Sequence, residues 1–433
     1  MFKKLETGIG KRDLQIAVIG MGYVGLPLAL AFARQKFTVH GIDADGDRVG
    51  KLRDKKSYIT DVSDRDIATP VAAGRLVPST DFSSIRDCRA VIICVPTPIK
   101  KRYTPDMSFI LSAVREVRKY LQPGTLVVLE STTYPGTTEE VIRPLLETAG
   151  LKVGRNLFLA FSPERIDPGN AAYDVTRIPK VVGGVTPACC KLTALLYGTI
   201  IRKVHVVSSP AAAEMTKLLE NTFRIVNIGW VNEAAMMCHR FGIDIWEVIN
   251  AAKTKPFGFM PFYPGLGVGG HCIPEDPIYL YWKAKKKGHA SRFIKLAADV
   301  NAAMPEYTIG RIADLLKARG KVLKGARVLV LGVTYKKDVK DLRKSPSLKL
   351  IEALGKAGAD VGFYDPIIPG LHINGIHMAG LVWSPGMIRR QDIVVVAVDH
   401  TAVDYNMLRR NAKMIFDARN VYGNVKDKKI VKL

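Results

Sequence analysis

The sequence predicts an α/β protein with two doubly wound parallel sheets joined by a long central helical region. A short apolar strand, a glycine-rich turn and a helix follow one another near the N-terminus. A helical pattern of some 30 residues begins near position 209, and a second series of apolar strands begins near position 327. Strands that alternate with helical patterns indicate βαβ units. We therefore expect two Rossmann-like domains, at residues 1–208 and 323–433, on either side of a helical domain at residues 209–322.

Length and composition are those of a globular protein. The chain has 433 residues, of which 48% are hydrophobic and 24% charged, which predicts two or three domains. No apolar run approaches the ~18 residues of a membrane span, so we expect no membrane partner. The first ten residues lack the pattern of a signal peptide. The six cysteines show no CxxC pair, which predicts a reducing, cytoplasmic location and no metal site.

The net charge of +24 and the pI of about 9.7 raise the question of nucleic-acid binding. The basic residues, however, are spread along the whole chain. The densest clusters, at 283–287 and 426–429, are short, and no aromatic ladder accompanies them. We interpret them as solvated surface and expect no nucleic-acid partner. A positive field also attracts anionic small molecules.

The N-terminal turn has the pattern of a dinucleotide-binding loop. Residues 14–19 form a strand-length apolar run, and a helical pattern follows the turn. Asp43 ends the next predicted strand and would accept hydrogen bonds from the adenosine ribose, which favours NAD over NADP. Arg48 is a candidate for the adenine end, and a plain surface arginine is equally plausible. The turn residues assigned to the cofactor are Gly20, Gly22, Tyr23, Val24 and Gly25.

Polar residues follow three of the next predicted strands. Thr97 and Thr132 are candidates beside the nicotinamide and its ribose, because ligands of doubly wound folds lie at the carboxyl ends of the strands. An ordinary turn threonine is the alternative for each. Glu164 and Arg165 follow another predicted strand, which puts a carboxylate at the same edge.

The predicted central helix carries polar residues on an otherwise apolar surface. Ser209-Pro210 has the form of a helix start, and the helix should end near Gly242. Glu214, Lys217 and Asn221 fall on one face at helical spacing. A lysine and an amide among apolar neighbours suggest a polar site, and a solvated stripe is the alternative. Farther on, Pro305 predicts a kink or break in the helical pattern at 294–316.

The glycine-rich stretch at 265–277 holds the candidate nucleophile. Four glycines precede Cys272, and glycine allows positive φ and close approach of a ligand. Backbone N–H groups beside a thiol favour the reactive thiolate. Asp276 could orient a water or hold a proton. A buried, inert cysteine in a glycine-rich turn is the alternative. The aromatic loop at 253–264 could line a ring or sugar site or form its own small core.

The C-terminal region reads as a second doubly wound domain. Its first strand is followed by residues 332–338, which lack the dinucleotide pattern. Lys336 and Arg343 suit a nucleoside diphosphate by charge, and exposed basic residues are the alternative.

These motifs, in this order, resemble the nucleotide-sugar 6-dehydrogenase family, which includes UDP-glucose, GDP-mannose and UDP-N-acetylhexosamine dehydrogenases. The resemblance covers nearly the whole length. Residues 253–263 and 270–274 are most similar to the UDP-N-acetylglucosamine branch. Leu266, usually proline in that branch, and Glu275, usually aliphatic, depart from its pattern. The motifs that carry the resemblance are the turn at 20–27, Glu130-Ser131-Thr132, Ser162-Pro163-Glu164, Lys217 with Asn221, residues 269–276 and residues 332–338.

The resemblance implies oxidation of a primary alcohol to a carboxylate with two NAD per turnover. It makes Cys272 the nucleophile that forms a thiohemiacetal and then a thioester, with Lys217 and Asn221 stabilising the oxyanion. Asp276 would handle a proton through water, and Glu164 and Thr132 would serve hydrolysis. The resemblance also implies a homodimer or larger homo-oligomer. The candidate substrate-binding residues are Glu164, Arg165, Lys217, Asn221, Phe262, Tyr263, Gly265, Gly269, Lys336 and Arg343.

The leading hypothesis is a UDP-N-acetylglucosamine 6-dehydrogenase. UDP-N-acetylmannosamine and UDP-glucose are alternative substrates. A nucleic-acid-binding protein and a catalytically silent NAD-binding relative are hypotheses of other classes, and the intact set of Cys272, Lys217 and Asn221 argues against the silent one.

Overall fold

The computed structural model describes residues 1–59, 62–100, 104–147, 150–167, 175–373 and 375–433. The chain forms two compact units. The first comprises Met1–Glu220 and Ile278–Ala290, and the second comprises Asn221–Pro277 and Ser291–Leu433.

The first unit is built on an eight-stranded sheet. Its strands and the small β5–β6 ribbon are β1 (Gln15–Ile19), β2 (Thr38–Ile42), β3 (Leu76–Ser79), β4 (Cys88–Ile93), β5 (Ile99–Lys100), β6 (Thr104–Pro105), β7 (Thr125–Leu129), β8 (Leu157–Phe161), β9 (Lys180–Gly184) and β10 (Val204–Val207). Its helices are α1 (Phe2–Lys11), α2 (Gly25–Arg34), α3 (Gly46–Arg53), α4 (Asp64–Ala72), α5 (Ser108–Tyr120), α6 (Arg143–Leu146) and α7 (Pro187–Gly198).

The sheet order is β10-β9-β8-β7-β4-β1-β2-β3. Every neighbouring pair is parallel except β8 and β9, which are antiparallel. Alternate residues of β1 enter opposite cores: Ile16 and Val18 on one face, Ala17 and Ile19 on the other. Apolar side chains on both faces explain why the strands read as continuous hydrophobic runs.

The second unit is built on a five-stranded parallel sheet with the order β12-β11-β15-β16-β17. Its strands and the β13–β14 ribbon are β11 (Arg327–Leu331), β12 (Asp360–Tyr364), β13 (Gly370–Ile373), β14 (Ile376–Ala379), β15 (Ile393–Val396), β16 (Ile415–Asp417) and β17 (Ile430–Lys432). The remaining helices, two of which run from one unit into the other, are α8 (Pro210–Phe241), α9 (Ile245–Ala252), α10 (Cys272–Lys286), α11 (Arg292–Lys317), α12 (Pro346–Lys356), α13 (Pro385–Arg390) and α14 (Tyr405–Asn411).

The predicted fold class is confirmed, with two differences. The predicted central helix forms as α8, but α1, β3, β9, β10 and β17 were not predicted. Of the kink or break predicted at Pro305, the break is wrong, because α11 continues through this residue, and the kink stays a prediction. Pro305 is buried in the second unit, where the packing of α11 outweighs the lost hydrogen bond.

Glu214 ties α8 to the loop that follows β7. Its carboxylate accepts hydrogen bonds from the Gly136 N–H at 2.6 Å, the Thr138 N–H at 2.9 Å and the Thr138 hydroxyl at 2.7 Å. Burial raises the pKa of Glu214 to about 7, although these three donors oppose the rise. The carboxylate thus fixes the loop that carries Thr132.

The raised pKa predicts a pH-dependent stability. Between about 4.5, the value in an unfolded chain, and about 7, the folded protein holds a proton on Glu214 that the unfolded chain has released. The contribution of Glu214 to the free energy of unfolding therefore falls as pH rises through this window, by at most about 3 kcal/mol. We expect the stability of the wild type relative to Glu214→Gln to decrease between pH 5 and pH 8. Denaturant midpoints measure it.

The control is Glu233→Gln, which removes an exposed carboxylate from the same helix. The interpretation fails if the two variants show the same trend with pH.

Candidate active site

The first glycine-rich turn joins β1 to α2 and leaves no room for side chains at two positions. Gly20 has a φ of +93°, and a Cβ there would lie 2.7 Å from the Cys94 carbonyl oxygen. A Cβ on Gly25 would lie 1.8 Å from the Gly20 oxygen. These contacts force a tight turn at the N-terminus of α2, where anionic phosphates bind.

The same turn is open at its tip. A Cβ on Gly22 would meet no atom within 4 Å, so the backbone there faces space that a pyrophosphate can occupy. Tyr23 is exposed, Val24 precedes α2 as its N-cap residue, and the Tyr58 hydroxyl donates to the Met21 carbonyl at 2.6 Å. The turn therefore fits a dinucleotide.

Asp43 follows β2 and is buried beside this turn. Its Oδ2 accepts the Met21 N–H at 2.7 Å, and its Oδ1 accepts the Asp45 N–H at 2.9 Å. Arg48, predicted for the adenine end, lies 3.4 Å from Asp43 and 3.3 Å from Asp45. These donors anchor the carboxylate. Asp43 lies at the end of the strand that follows the turn and α2, which is where a dinucleotide-binding fold carries its ribose-binding acid.

Thr97 and Thr132 both lie at the carboxyl edge of the first sheet. Thr132 accepts a hydrogen bond from the Lys217 Nζ of α8 at 2.6 Å. Thr97 is buried, and its carbonyl oxygen accepts the hydroxyl of Tyr279 from α10. The structure therefore brings Thr132 and Lys217 together, which their distance in the sequence did not predict.

Glu164 follows β8 and is surrounded by donors. Its Oε1 accepts the Arg165 N–H at 2.7 Å and the Ile166 N–H at 2.9 Å, and its Oε2 lies 2.7 Å from the Lys180 Nζ. The Arg165 guanidinium binds Glu220 at 2.7 Å. It also donates to the Pro179 carbonyl. This arginine is thus held by protein groups of the first unit.

In the second unit, Cys272 is the first residue of α10, and Asp276 lies one turn later. The Asn221 amide of α8 donates to the Asp276 Oδ2 at 2.6 Å. Cys272 is partly exposed, whereas Asp276 is buried. The partial positive charge at a helix N-terminus favours the thiolate form of a cysteine.

The glycines before Cys272 pack against residues 335–346. Gly270 has a φ of +81° and donates its N–H to the Arg343 carbonyl at 2.8 Å. A Cβ on Gly270 would lie 2.8 Å from the Tyr335 ring, and one on Gly269 would lie 2.7 Å from the Tyr335 Cβ. Glycine is therefore required at these positions because the protein itself packs closely there, in addition to any approach of a ligand.

Two buried amides hold the start of this stretch. The Asn232 Oδ1 accepts the Gly265 N–H at 2.9 Å, and the Asn232 amide donates to the Asn301 Oδ1 at 2.9 Å. Asn301 in turn donates to the Ile225 carbonyl at 3.2 Å. The sequence analysis missed both asparagines, although amides at apolar positions of two helices are the signal that could have found them.

The predicted aromatic residues contact other rings. Phe262 packs edge-on against Phe223 with the ring centroids 5.6 Å apart, and Tyr263 stacks on Trp246 at 5.8 Å. These contacts agree with the alternative of a small aromatic core, while Tyr263 keeps part of its surface exposed.

The basic residues predicted for the diphosphate lie in the segment after β11. The Thr334 hydroxyl donates to the Lys336 carbonyl at 2.9 Å. The Arg343 guanidinium pairs with Asp341 at 2.6 Å. Next to it, Lys344 binds Glu275 of α10 at 2.5 Å, and His271 lies 3.2 Å from the same carboxylate. The unusual Glu275 therefore links the cysteine helix to this segment.

The described residues hold neither a group of metal ligands nor a membrane-spanning helix. These residues contain no group of three or more His, Cys, Asp or Glu side chains that could hold a metal ion. Among them, no helix is long and apolar enough to cross a membrane.

Three family models match the chain in sequence order. They describe the NAD binding domain, the central domain and the UDP binding domain of the UDP-glucose/GDP-mannose dehydrogenase family, and they match residues 14–201, 211–303 and 329–424. Together they span most of the chain.

Similar proteins carry related names. A UDP-N-acetyl-D-glucosamine 6-dehydrogenase of Pseudomonas aeruginosa is 37% identical over 96% of this chain and 97% of its own length. A UDP-N-acetyl-D-mannosamine dehydrogenase of Pyrococcus horikoshii is 33% identical over 94% of this chain and 96% of its own.

The solved structure of a UDP-D-ManNAc dehydrogenase from Pyrococcus horikoshii superposes with a TM-score of 0.87 at 30% identity, over 97% of this chain and 99% of that one. Its fold, the three family models and the dinucleotide turn agree with one another. The chain therefore belongs to the UDP-glucose/GDP-mannose dehydrogenase family and is an NAD-dependent UDP-sugar dehydrogenase.

Proposed function

We propose that this enzyme oxidises C6 of UDP-N-acetyl-D-glucosamine to a carboxylate, giving UDP-N-acetyl-D-glucosaminuronate for polysaccharide or glycan synthesis. The observation that carries the proposal is Cys272 at the first residue of α10, with Asp276 one turn later and hydrogen-bonded to Asn221. The choice of sugar is supported by the 37% identical relative of that name. UDP-N-acetyl-mannosamine and UDP-glucose are the alternatives, and the 33% identical relative supports the first of these.

The two oxidations need a group that holds the aldehyde between them. NAD, when bound, accepts a hydride from C6 in each oxidation. Cys272 adds to the aldehyde as a thiolate, and the resulting thiohemiacetal can lose a second hydride, whereas a free aldehyde cannot. The product of that second oxidation is a thioester on Cys272.

The polar residues of α8 suit the oxyanion that forms at each addition. The Lys217 ammonium carries a positive charge and donates a hydrogen bond to the Thr132 hydroxyl at 2.6 Å. The Asn221 amide has a second N–H besides the one directed at Asp276. We assign both side chains to stabilising the negative oxygen.

Proton transfer and hydrolysis are assigned to carboxylates. Asp276 would exchange a proton with the reacting oxygen through water. Glu164 would serve the hydrolysis of the thioester, with Thr132 positioning the water. Both carboxylates are buried, where their charge acts on a reacting group more strongly than it would in water.

Substrate binding is assigned to the segments around the cysteine. Lys336 and Arg343 would bind the UDP diphosphate by charge, and Phe262 and Tyr263 would contact the sugar or uracil ring. Gly265 and Gly269 would allow the backbone to approach the sugar. Arg165 is a further candidate for substrate binding. The division into domains at 1–208, 209–322 and 323–433 is part of this proposal.

We also propose a homodimer formed through α8 and α11. Trp230, Phe293 and Leu296 are exposed by 59%, 73% and 55%, and the helices that carry them meet where Gly229 faces Ala297. Large apolar side chains exposed together indicate a protein interface. None of the six cysteines, all of which lie in the described residues, forms a disulfide, which supports a cytoplasmic location.

The proposed substrate is tested by NADH formation with NAD and a panel of UDP-sugars. We expect kcat/KM for UDP-N-acetyl-D-glucosamine to exceed that for UDP-N-acetyl-mannosamine and UDP-glucose by about tenfold, which corresponds to one net hydrogen bond of about 1.4 kcal/mol. A panel without activity on any UDP-N-acetylhexosamine would reject the proposal.

The thioester role of Cys272 predicts that Cys272→Ser abolishes overall oxidation while NAD still binds. Cys238→Ser is the matched control. Normal turnover by Cys272→Ser would reject the thioester.

The ribose role of Asp43 predicts a change in cofactor preference. Asp43→Ala removes two charged hydrogen-bond acceptors and the repulsion of a 2′-phosphate, so the Kd for NAD should rise about 10- to 100-fold and the NADP/NAD ratio should shift toward NADP. Fluorescence titration measures both. Asp47→Ala, an exposed neighbour, is the control. An unchanged ratio would contradict the role.

The proposed dimer predicts that Trp230→Asp yields a monomer at micromolar concentration, because the buried charge would lack a partner. Sedimentation velocity measures the mass. Val382→Asp introduces the same charge at another exposed apolar residue and should leave the dimer intact. A monomeric wild type would exclude the interface.

A further inference from the structure

Three charged side chains are buried together at the carboxyl edge of the first sheet. The Lys180 Nζ lies 2.7 Å from the Glu164 Oε2 and 3.1 Å from the Glu130 Oε2. Lys180 is 4% exposed, and Glu130 and Glu164 are also buried. The Tyr197 hydroxyl donates to the Glu130 Oε1, and the Lys180 ammonium lies 5.1 Å from the centre of the Tyr197 ring. Except for Glu164, these residues have no role in the proposed reaction so far.

The antiparallel strand explains how Lys180 reaches this edge. β9 pairs with β8 so that Phe161 faces Gly183 and Ala160 faces Gly184. Continued by three residues, this register brings Lys180, the first residue of β9, opposite Glu164. The first residue of a parallel strand would lie at the other edge of the sheet.

Lys180 completes the set of donors around Glu164. A carboxylate has about four acceptor positions. The Arg165 and Ile166 N–H groups occupy two on Oε1, and Lys180 occupies one on Oε2. No other donor among the described residues binds Oε2, so one acceptor position remains there for a water, and the three donors fix its direction.

The charges around Glu164 favour its ionised form. Burial raises the pKa of Glu164, but the Lys180 ammonium and its hydrogen bond, the Arg165 N–H and the Lys217 ammonium outweigh burial, so the pKa lies below its usual value. Burial raises the pKa of Glu130, and Lys180 only partly opposes this.

Stability alone gives no reason for such a cluster. Replacing a buried ion pair by apolar side chains of similar volume is often neutral or stabilising, because desolvation of the ions offsets their attraction. The Glu130 carboxylate forms an ion pair with Lys180, and the Tyr197 ring lies near the same ammonium. Both contacts fix the ammonium against Glu164.

We propose that Lys180 is a positioning residue for the second half of the reaction, the hydrolysis of the thioester on Cys272, and that Glu130 and Tyr197 hold it in place. In this step the water oxygen bonds to C6 and the C6–sulfur bond breaks, with its electron pair going to the Cys272 sulfur. The proton released by the water is taken up by the Glu164 carboxylate. Lys180 orients that carboxylate and keeps it ionised. The inference rests on the proposed function.

The test compares Glu130→Gln with Glu130→Gln/Lys180→Met. Both variants lack one buried carboxylate, and the double variant also lacks the buried ammonium, so it leaves no buried cation unpaired. Each is mixed rapidly with NAD and the UDP-sugar that the wild type oxidises, and NADH is followed in the pre-steady state.

We expect the double variant to form two NADH per active site in a burst and then to turn over at least tenfold more slowly than Glu130→Gln. The mass of the protein should show the sugar acyl group on Cys272. The acid limb of its steady-state pH profile should move to higher pH. The proposal would be overturned if the double variant shows no burst and its steady-state rate is within twofold of that of Glu130→Gln. It would also be overturned if the first oxidation slows by the same factor as the overall turnover.

A second measurement does not depend on the folding of a variant. In the wild type, decay of the Cys272 acyl group after rapid quenching should be nearly independent of pH from 8 down to 5, because Glu164 stays ionised. A decay that slows tenfold between pH 7 and pH 6 would overturn the proposal. The wild-type assay also separates the two claims: no acyl group on Cys272 rejects the proposed function, whereas an acyl group with an unaffected double variant rejects only the role of Lys180.

Discussion

The constraint on which this structure depends most is the burial of ionisable side chains at the carboxyl ends of the strands of the first sheet. Glu130, Glu164, Lys180, Glu214 and Lys217 are all buried there, and each has a charged or hydrogen-bonding partner in the same unit. An unpaired buried charge would cost several kcal/mol, roughly the whole stability of a domain. The loops after β7 and β8 therefore have little freedom, and α8 is bound to one of them through Glu214 and Lys217.

The second unit uses close packing where the first uses charge. Its cysteine segment contains glycines that lie against Tyr335, and its start is held by Asn232 and Asn301. Glu275 adds an ion pair with Lys344. A nucleophile needs such support, because small displacements of a reacting group lower the rate strongly. The proposed sugar chemistry relies on this rigid placement of Cys272 at the start of α10.

Local sequence patterns predicted most of the fold and the positions of some residues of the candidate site. The dinucleotide turn, Asp43 and the helix of Lys217 follow from spacing that a single segment contains. Lys180 could not be predicted in this way, because its position depends on a strand that runs against its neighbour β8. The bond between Lys217 and Thr132 joins residues 85 positions apart in the sequence, which periodicity does not report. The break expected at Pro305 is absent because burial of α11 outweighs local preference.

The family assignment fixes the reaction class, and the chemistry of a held aldehyde is the central claim about mechanism. If Cys272 keeps the aldehyde bound until the second oxidation, no free aldehyde leaves the enzyme. The most direct test is the stoichiometry of the complete reaction, with NADH, uronate and aldehyde all quantified from a limiting amount of UDP-sugar. If Cys272 holds the aldehyde, two NADH should form for each UDP-sugar consumed, with uronate as the product and no aldehyde in solution. One NADH for each UDP-sugar, with the aldehyde released, would contradict it.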